Sequence, residues 1–520
     1  MAPAHDLGQP LMTPLTPLAV ADPGGLIQSV DWVAVAPPLI AALAALAVLV
    51  ADLFLPEARK RLLGWLSAAG LLAALAALLP LALGDTRSTF CFRSPGGGCS
   101  YTADHFALAF QLLALGGALL TVLLSLHTVD EEKLPGGEYW FLLLSSACGA
   151  ALLPASRDLA TLVIALEVAT LPAFALVGLR RDGRGAESAL KFFLSSVTAT
   201  AVMLLGVSFV YAAAGTVQLQ GIADGLAHAP GQLKPLAEAG AVLTLVGFAF
   251  KTAAVPFHFW VPDTYVGAPL PVAGYLSVVG KAAGLSGLAL VTTVAFRPYG
   301  HTWGLVLAVL AALTMTFGNA AALRQRTDTP HGAVRLLAWS SVGQAGYLLV
   351  PLAAAGYAGS AGPLGATVAY ALVYGLVNLG AFGVVALVGG RGGLDGFRGL
   401  AGRNRWAAFA LAFFLLCLAG LPPGVVGLFG KVVVFRAAVD AGLGWLAVVM
   451  AVNVVIALAY YLKWTALLFA PATGGGEAPA AAGRRVPASL GAALGLAGVG
   501  AVVLSVAPQL VLQVVSGSLF

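Results

Sequence analysis

Long apolar runs recur along almost the whole chain, and they limit how it can fold more than any other feature. A run of about twenty apolar residues is the length of helix that crosses the hydrocarbon core of a bilayer. Across 520 residues, 60% are hydrophobic and 9% are charged, which lies outside the range of soluble globular proteins. The chain is therefore predicted to be an all-α polytopic membrane protein.

Fourteen segments of the sequence meet this length requirement and are predicted to span a membrane. They are residues 31–53, 62–83, 105–127, 138–155, 159–179, 189–213, 237–259, 270–296, 303–323, 335–355, 365–388, 407–435, 442–470 and 487–510. Residues 1–30 are predicted to form a Pro-rich leader, because they lack the basic region of a signal peptide. Residues 471–486 are predicted to form a flexible linker on the inner side, before the last span.

Lysines and arginines are distributed unequally between the two sides of these spans. With the N-terminus outside, the inner loops hold 16 of the 27 and the outer side holds six. Because cytoplasmic loops are enriched in Lys and Arg, both termini are predicted to lie outside. The basic residues are dispersed, so they give no reason to expect nucleic-acid binding. The remaining five are all lysines inside spans: Lys191, Lys251, Lys281, Lys431 and Lys463.

The four cysteines show no metal-binding spacing,. Cys91 and Cys99 lie in one polar loop, FCFRSPGGGCS, on the predicted outer side. In that oxidising location they form either a local disulfide or two free thiols. Cys148 and Cys417 fall inside apolar runs and are predicted to be packing residues.

Two buried lysines flank a Pro- and aromatic-rich break at 255–271. An ionisable group near the bilayer centre costs about 2.5–3.5 kcal/mol and marks a candidate functional site. Lys251 precedes this break, whereas Lys431 in span twelve follows the Pro422–Pro423 pair, so lysine and break stand in inverted order. Paired proline-interrupted helices indicate inverted repeats with an ion path at the breaks.

The predicted organisation follows from this symmetry. It comprises the leader at 1–30, three N-terminal helices at 31–128, and two inverted five-helix repeats at 138–296 and 303–470 with broken helices seven and twelve. The linker at 471–486 and a C-terminal helix at 487–520 complete the chain.

The lysines Lys251, Lys281 and Lys431 are the strongest candidates for a proton relay, because a desolvated lysine gives up its proton more readily. Glu167, near the middle of span five, is expected to pair with one of them, either in a static ion pair or in the relay. His258 either passes a proton between Lys251 and Lys281 or only satisfies a helix end.

Two other lysines lie nearer the ends of their spans. Lys191 is also assigned to the relay, with snorkelling to the interface as the alternative, whereas Lys463 fits snorkelling better. Polar residues of spans nine to eleven either hold a file of water or join helices; they are Asn319, Ser340, Ser341, Gln344, Tyr347, Tyr374 and Asn378. The sequence contains no P-loop, dinucleotide fingerprint or iron–sulfur cysteine cluster,.

Five stretches of the chain resemble the antiporter-like membrane subunits of respiratory complex I, a family shared with multi-subunit sodium/proton antiporters. These stretches, which cover spans five to twelve, are ALEVATLPAFALVG, ESALKFFLSS, GFAFKTAAVPFHFWVPDTYVGAPLPVAGYLSVVGKAAG, RLLAWSSVGQAGYLL and LAGLPPGVVGLFGKVVVF. Within the family, the PDTYVGAP run and a lysine in span twelve are similar to the N-type subunits.

The resemblance implies a proton-translocating subunit of the NADH:quinone oxidoreductase in a bacterial plasma membrane. It implies that the glutamate at 167 pairs with Lys251 and that Lys281 passes protons towards Lys431. NADH, FMN, iron–sulfur clusters and quinone are then bound by other subunits, and this chain holds no cofactor or metal. Its partners would be the neighbouring antiporter-like and small membrane subunits, the lipid bilayer and protons.

One position departs from the family pattern. Gln344 stands where the family usually has a histidine, and glutamine hydrogen-bonds water but does not titrate. Two alternative functions remain open: a subunit of a cation/proton antiporter without a redox partner, and a membrane anchor whose buried charges are purely structural. Sodium transport would favour further midplane carboxylates, and Glu167 is the evident one.

Overall fold

A computed structural model describes residues 29–92, 98–359, 362–390, 392–471 and 486–510. The predicted leader at 1–30 and linker at 471–486 lie almost wholly outside the described residues, and so does the last part of the predicted 487–520 helix. The predicted location of both termini therefore stays a prediction.

The described chain is a bundle of helices with one short β-hairpin. The first half contains α1 (Trp32–Phe54), α2 (Arg61–Ala76), α3 (Leu79–Ala82), α4 (His105–Glu131), α5 (Gly136–Leu152), α6 (Leu159–Gly178), α7 (Gly183–Ala214), α8 (Leu219–Ala227), α9 (Lys234–Lys251), α10 (Val261–Gly267), α11 (Leu270–Tyr275) and α12 (Lys281–Leu290). The second half contains α13 (Gly300–Leu323), α14 (Gly332–Ala358), α15 (Leu364–Val388), α16 (Leu400–Arg403), α17 (Arg405–Ala419), α18 (Val425–Asp440), α19 (Gly444–Phe469) and α20 (Ala488–Val506).

Twelve helices within the described residues are long and apolar enough to cross a membrane, which confirms the polytopic all-α class. Predicted spans seven and twelve are not among them as single helices. Span twelve is divided into α17 and α18, whereas the helix of span seven, α9, ends at Lys251 and the next helix, α10, begins at Val261, beyond the predicted end of that span. The total of fourteen spans and their grouping into two repeats stay predictions.

Several helices begin where a short polar side chain caps their free N–H groups. Asp31, Asp104, Asp158 and Asp182 accept from the first turns of α1, α4, α6 and α7. Such N-caps satisfy backbone donors that have no partner inside the helix. These aspartates, which lie between the apolar runs, therefore mark where the four helices start.

The β-hairpin was not predicted. Strands β1 (Arg87–Cys91) and β2 (Cys99–Ala103) pair antiparallel, and a disulfide joins Cys91 to Cys99. We call the side of the bundle that carries it the hairpin end. The opposite side carries Arg180, Arg184 and Arg335, and we call it the arginine end.

The first broken helix is held together by side chains from its neighbours. After α9 ends at Lys251, the backbone turns through Ala253 at a φ of 60° and a cis Val255–Pro256 bond. The N–H of Val255 donates to the hydroxyl of Thr314 on α13 at 2.9 Å, and the indole of Trp260 donates to the Phe250 carbonyl at 3.2 Å. Two of the backbone groups at the break are thus satisfied by side chains inside the protein, as membrane burial requires,.

The second break lies between α17 and α18, and it brings these two half-helices into close backbone contact. Gly420 adopts a φ of 85°, and a cis bond joins Pro422 to Pro423. The start of α18 then packs so closely on α17 that a Cβ at Gly427 would lie 1.7 Å from the Cys417 carbonyl oxygen. Glycine is required here because the two half-helices touch through their backbones.

Candidate functional site

Lys251 lies at the last turn of α9 and is only 4% exposed. Its ammonium nitrogen is 2.7 Å from the Ser196 hydroxyl, 3.3 Å from the Thr170 hydroxyl and 3.6 Å from a Glu167 carboxylate oxygen. The expected pairing of Glu167 with Lys251 is therefore present in the structure. The two charged groups meet where α6, α7 and α9 converge, and hydroxyls supply the lysine's other hydrogen bonds.

Glu167 is less enclosed than its partner. The Thr200 hydroxyl on α7 donates to its Oε1 at 2.9 Å, which fixes the carboxylate beside Lys251. The carboxylate thus has both a lysine and a hydroxyl as partners. Glu167 and Lys251 thus form a buried ion pair, and a charge placed near either group would act on it electrostatically,.

A small cavity lies between Lys251 and the turn that precedes Lys281. Its volume is about 20 Å³, which is room for about one water molecule. It is lined by Ser146, Thr170, Lys251, Tyr275 and Gly280, together with apolar side chains. The walls of this cavity are mostly apolar, and Lys281 itself is not among the residues that line it.

Close contact of the backbones sets this spacing. A Cβ at Gly284 of α12 would lie 2.7 Å from the Cβ of Lys251 and 2.9 Å from its carbonyl carbon. Gly284 is three residues after Lys281, so one turn of α12 both carries one lysine and packs on the other.

Lys281 is the most deeply buried of the lysines, at 2% exposure. It follows a turn of π-helix at Leu276–Gly280, and a second π-helical turn, Val291–Ala295, ends the same span. Its ammonium donates to the Ser341 carbonyl at 2.6 Å and to the Ser341 hydroxyl at 2.5 Å. Turns of π-helix occur often at functional sites because they redirect side chains and free carbonyls.

A polar stripe on α14 leads away from Lys281. Ser341, Gln344 and Tyr347 are spaced three residues apart and so lie on one face of the helix,. The Tyr374 hydroxyl donates to Ser341 at 2.9 Å. At one end of the stripe Ser341 contacts Lys281, and at the other end Tyr347 contacts Lys431 of the second broken helix.

Gln344 is clamped between two tyrosines. Its amide oxygen accepts from the Tyr370 hydroxyl, and its amide nitrogen donates to the Tyr461 hydroxyl at 3.3 Å. Tyr461 also shares a 2.5 Å hydrogen bond with Ser340. The glutamine therefore links Tyr370 to Tyr461 by hydrogen bonds and carries no titratable group,.

Lys431 lies next to the Tyr347 end of the polar stripe. It lies on α18, is 5% exposed, and its ammonium lies 5.6 Å above the Tyr347 ring. It donates to the carbonyls of Leu418 and Ala419 at 2.8 and 2.7 Å. Those carbonyls are left free where α17 stops, and a cation is favoured at a helix C-terminus.

His258 makes no hydrogen bond to Lys251, Lys281 or Lys431, the three buried lysines that we call the lysine row. It is buried in the first break, and its ring packs against Phe317 and Trp339 with centroid distances of 4.8 and 5.6 Å. Its Nδ1 makes no hydrogen bond to a residue that the structure describes. The hydrogen-bond partners of Lys251 and Lys281 are other residues.

Lys191 is separate from the buried lysines. Its side chain is 50% exposed and forms ion pairs with Glu187 at 2.6 Å and Asp263 at 3.1 Å. Arg335 approaches the same aspartate at 3.7 Å. The structure thus places Lys191 in a charged cluster at the arginine end of the bundle. Lys463 is exposed on α19.

The sequence reasoning missed several members of the row. Ser196, Thr170 and Thr200 around Lys251, and Tyr370 and Tyr461 beside Gln344, were not singled out. The available signal was their helical spacing, since Ser196 and Thr200 are four residues apart on one face of α7,. Their partners lie tens of residues away in sequence, so the pairings themselves needed the fold.

Comparisons with known proteins place the chain in one family. Residues 156–457 match the sequence profile described as NADH:quinone oxidoreductase/Mrp antiporter, transmembrane. The "NADH-quinone oxidoreductase subunit N 2" of Streptomyces griseus is 65% identical over 519 residues, covering 97% of this chain and 96% of its own. The subunit N of Salinispora tropica is 46% identical over 460 residues, covering 86% of each.

Two solved structures share the fold. A chain of respiratory complex I from Thermus thermophilus superposes with a TM-score of 0.75 at 33% identity, covering 93% of this chain and all of its own. A chain of the Mrp complex from Dietzia superposes with a TM-score of 0.78 at 22% identity, covering 93% of this chain and 96% of its own. The second likeness is one of fold alone.

Proposed function

Because the chain belongs to the NADH:quinone oxidoreductase/Mrp antiporter family of membrane subunits, we propose that its buried lysines carry the protons that such a subunit translocates. It is a membrane subunit of a proton-translocating NADH:quinone oxidoreductase and works with other membrane subunits of that complex.

The observation that carries the proposal is the set of three buried lysines, with the polar stripe of α14 between Lys281 and Lys431. Lys251, Lys281 and Lys431 are each almost fully buried, and each has a different set of hydrogen-bond acceptors. Burial disfavours the charged form of a lysine, whereas a nearby carboxylate favours it. A change in charge near Glu167 therefore alters how tightly Lys251 holds its proton.

The proton then moves along the row in two steps. It passes from Lys251, beside the small cavity, to Lys281 on the neighbouring α12, and from Lys281 along the polar stripe of α14 to Lys431. At each step the lysine that receives the proton already has an acceptor in place: Ser341 for Lys281, and the free α17 carbonyls for Lys431. Such prearranged partners lower the cost of holding charge in the membrane.

The chain contributes translocation rather than electron transfer. The sequence lacks the motifs that hold flavin, iron–sulfur clusters or nucleotide,. We therefore assign NADH, FMN, iron–sulfur clusters and quinone to other subunits of the complex. Coupling would reach this chain through charge and conformation, with Glu167 as the responsive group.

The two broken helices support the proposed inverted repeats. Lys251 ends the first half of one broken helix, whereas Lys431 lies in the second half of the other. A helix pair related by inversion across the membrane places lysine and break in this opposite order. The arginine end would face the cytoplasm and the disulfide-bonded hairpin the outside.

The function is tested with Lys251→Ala in the assembled complex in membrane vesicles. NADH-driven proton uptake should fall together with coupled NADH oxidation, because the row loses its first member. Lys463→Ala is the matched control, since it removes an exposed lysine from a membrane helix outside the row. If pumping and oxidation by the assembled Lys251→Ala complex equal those of the control, the lysine is structural and the proposal fails.

A further inference from the structure

An apolar groove lies on the surface of the bundle between α9 and α13. Its volume is about 600 Å³, and most of the side chains that line it are apolar. Val242 of α9 and Val306 of α13 are among them, and they are 60% and 45% exposed. The groove therefore opens on the side of the bundle that faces its surroundings.

The groove is about as long as one leaflet of a bilayer is thick. On α9 its lining extends from Glu238 to Ala249, which is about 16 Å along the helix axis,. On α13 it extends from Thr302 to Leu310, which lies near the middle of that helix. Half of a hydrocarbon core is about 15 Å. The groove thus reaches from the hairpin end of the bundle to the middle of the membrane.

The residues at the hairpin end of the groove suit the level of lipid headgroups. Tyr299 and Trp303 line the groove there, and both residue types are enriched where a membrane meets water. Lys234, the first residue of α9, and Arg297, two residues before Tyr299, are exposed at the same end, and the exposed Glu238 lines it. Two cations and one carboxylate complement a headgroup that carries both a phosphate and an amine.

The inner end of the groove reaches the first break. Pro256 and Phe257, which follow α9 in the chain, line the groove together with Ala249. Ala249 is two residues before Lys251. A molecule that fills the groove would therefore contact the segment that follows this lysine.

The width of the groove indicates what kind of molecule it accepts. A volume of about 600 Å³ spread over about 16 Å corresponds to a groove roughly 7 Å across,. A helix with its side chains is about 10–12 Å wide. A single hydrocarbon chain can therefore lie inside the groove along its length, whereas a helix of another subunit would only lie over it.

We propose that this groove binds one phospholipid of the leaflet at the hairpin end, with an acyl chain between α9 and α13. The phosphate lies near Lys234 and Arg297, and an amine such as that of phosphatidylethanolamine lies near Glu238. Because the bilayer is itself apolar, packing in the groove and the headgroup contacts hold the lipid, rather than the hydrophobic effect. This inference concerns lipid binding and does not depend on the proton relay.

Photolabelling of the whole complex tests the site. The complex is reconstituted into vesicles of phosphatidylethanolamine and phosphatidylglycerol with a small proportion of a phosphatidylethanolamine that carries a diazirine at the end of one acyl chain. After irradiation, peptide mass spectrometry locates the attached lipid. Val306→Trp fills the groove. Val309→Trp is the matched control, because Val309 lies on the same helix, is 43% exposed and does not line the groove.

The site predicts that the diazirine attaches to the peptide that contains Phe257, and that this attachment falls several-fold in Val306→Trp but not in Val309→Trp. If Val306→Trp does not assemble, Val242→Trp fills the groove from α9 and is measured in the same way. Absence of the label at Phe257, as when a neighbouring subunit covers the groove, overturns the inference, and so does equal attachment in the groove-filling variant and the control.

The headgroup contacts are tested with the same probe. Lys234→Ala combined with Arg297→Ala should also reduce attachment at Phe257 several-fold, because the phosphate loses both cations. Arg436→Ala is the control, since Arg436 is an exposed cation of α18 that does not line the groove. Unchanged attachment in the double variant would overturn the headgroup assignment. The label is read without NADH, so the lipid site and the proton relay fail independently.

Discussion

The three buried lysines are stabilised by three kinds of acceptor. Lys251 has a carboxylate and hydroxyls, Lys281 has one serine, and Lys431 has the open end of a helix. The sequence alone identified these lysines, because a cation inside a long apolar run is conspicuous. It did not identify Ser341 as the partner of Lys281, since sixty residues separate them in the chain.

Gly284→Ala tests how closely the first two lysines must pack. Its new methyl group would lie 2.7 Å from the Lys251 Cβ, and such overpacking typically costs about 1–3 kcal/mol. Thermal stability of the complex and NADH-driven pumping should both fall. Gly116→Ala in α4 is the control, because no atom lies within 4 Å of its added methyl group; equal effects of the two substitutions would contradict the packing argument.

Gln344→Leu tests the polar stripe of α14. The Tyr370 hydroxyl loses its acceptor, and a buried unsatisfied group costs about 1–3 kcal/mol. The number of protons pumped per NADH should fall, because the link from Lys281 to Lys431 is interrupted. Gln325→Leu, whose amide binds a backbone carbonyl of α13, should pump normally. A normal ratio in Gln344→Leu would remove the stripe from the route.

At the scale of elements, the breaks in α9–α10 and α17–α18 were predictable and the π-helical turns were not. A proline within an apolar run predicts that the helix is broken there. The turn at Leu276–Gly280 has no comparable signal, because its residues would continue an ordinary helix equally well. This π-helical turn directly precedes Lys281.

Gly427→Ala tests the second break as an element. Its methyl group would collide with the Cys417 carbonyl, so α17 and α18 must separate and the carbonyls that hold Lys431 must shift. We expect reduced assembly, and lower pumping in whatever assembles. Gly444→Ala at the start of α19 meets no atom within 4 Å and should behave as wild type. Normal assembly and pumping of Gly427→Ala would show that the close approach is dispensable.

At the scale of the whole molecule, apolar runs predicted the helical bundle, and the charge bias predicted its orientation. The β-hairpin was missed because a Gly-rich polar loop reads as irregular chain. Its strands depend on contacts with the α5–α6 loop, such as the Tyr101–Ser156 bridge. From the sequence, Cys91 and Cys99 could be either disulfide-bonded or free thiols. The hairpin places them opposite each other, and they form a disulfide.

The central claim is that Lys251 and Lys431 belong to one route, and a double-mutant comparison tests it most directly. Protons translocated per NADH oxidised would be measured for Lys251→Ala, Lys431→Ala and the combination in the assembled complex. If the two lysines act in series, all three variants should show the same reduced number of protons per NADH, because the loss of one step already blocks the route. Losses that add in the double variant, or a wild-type ratio in either single variant, would contradict the account.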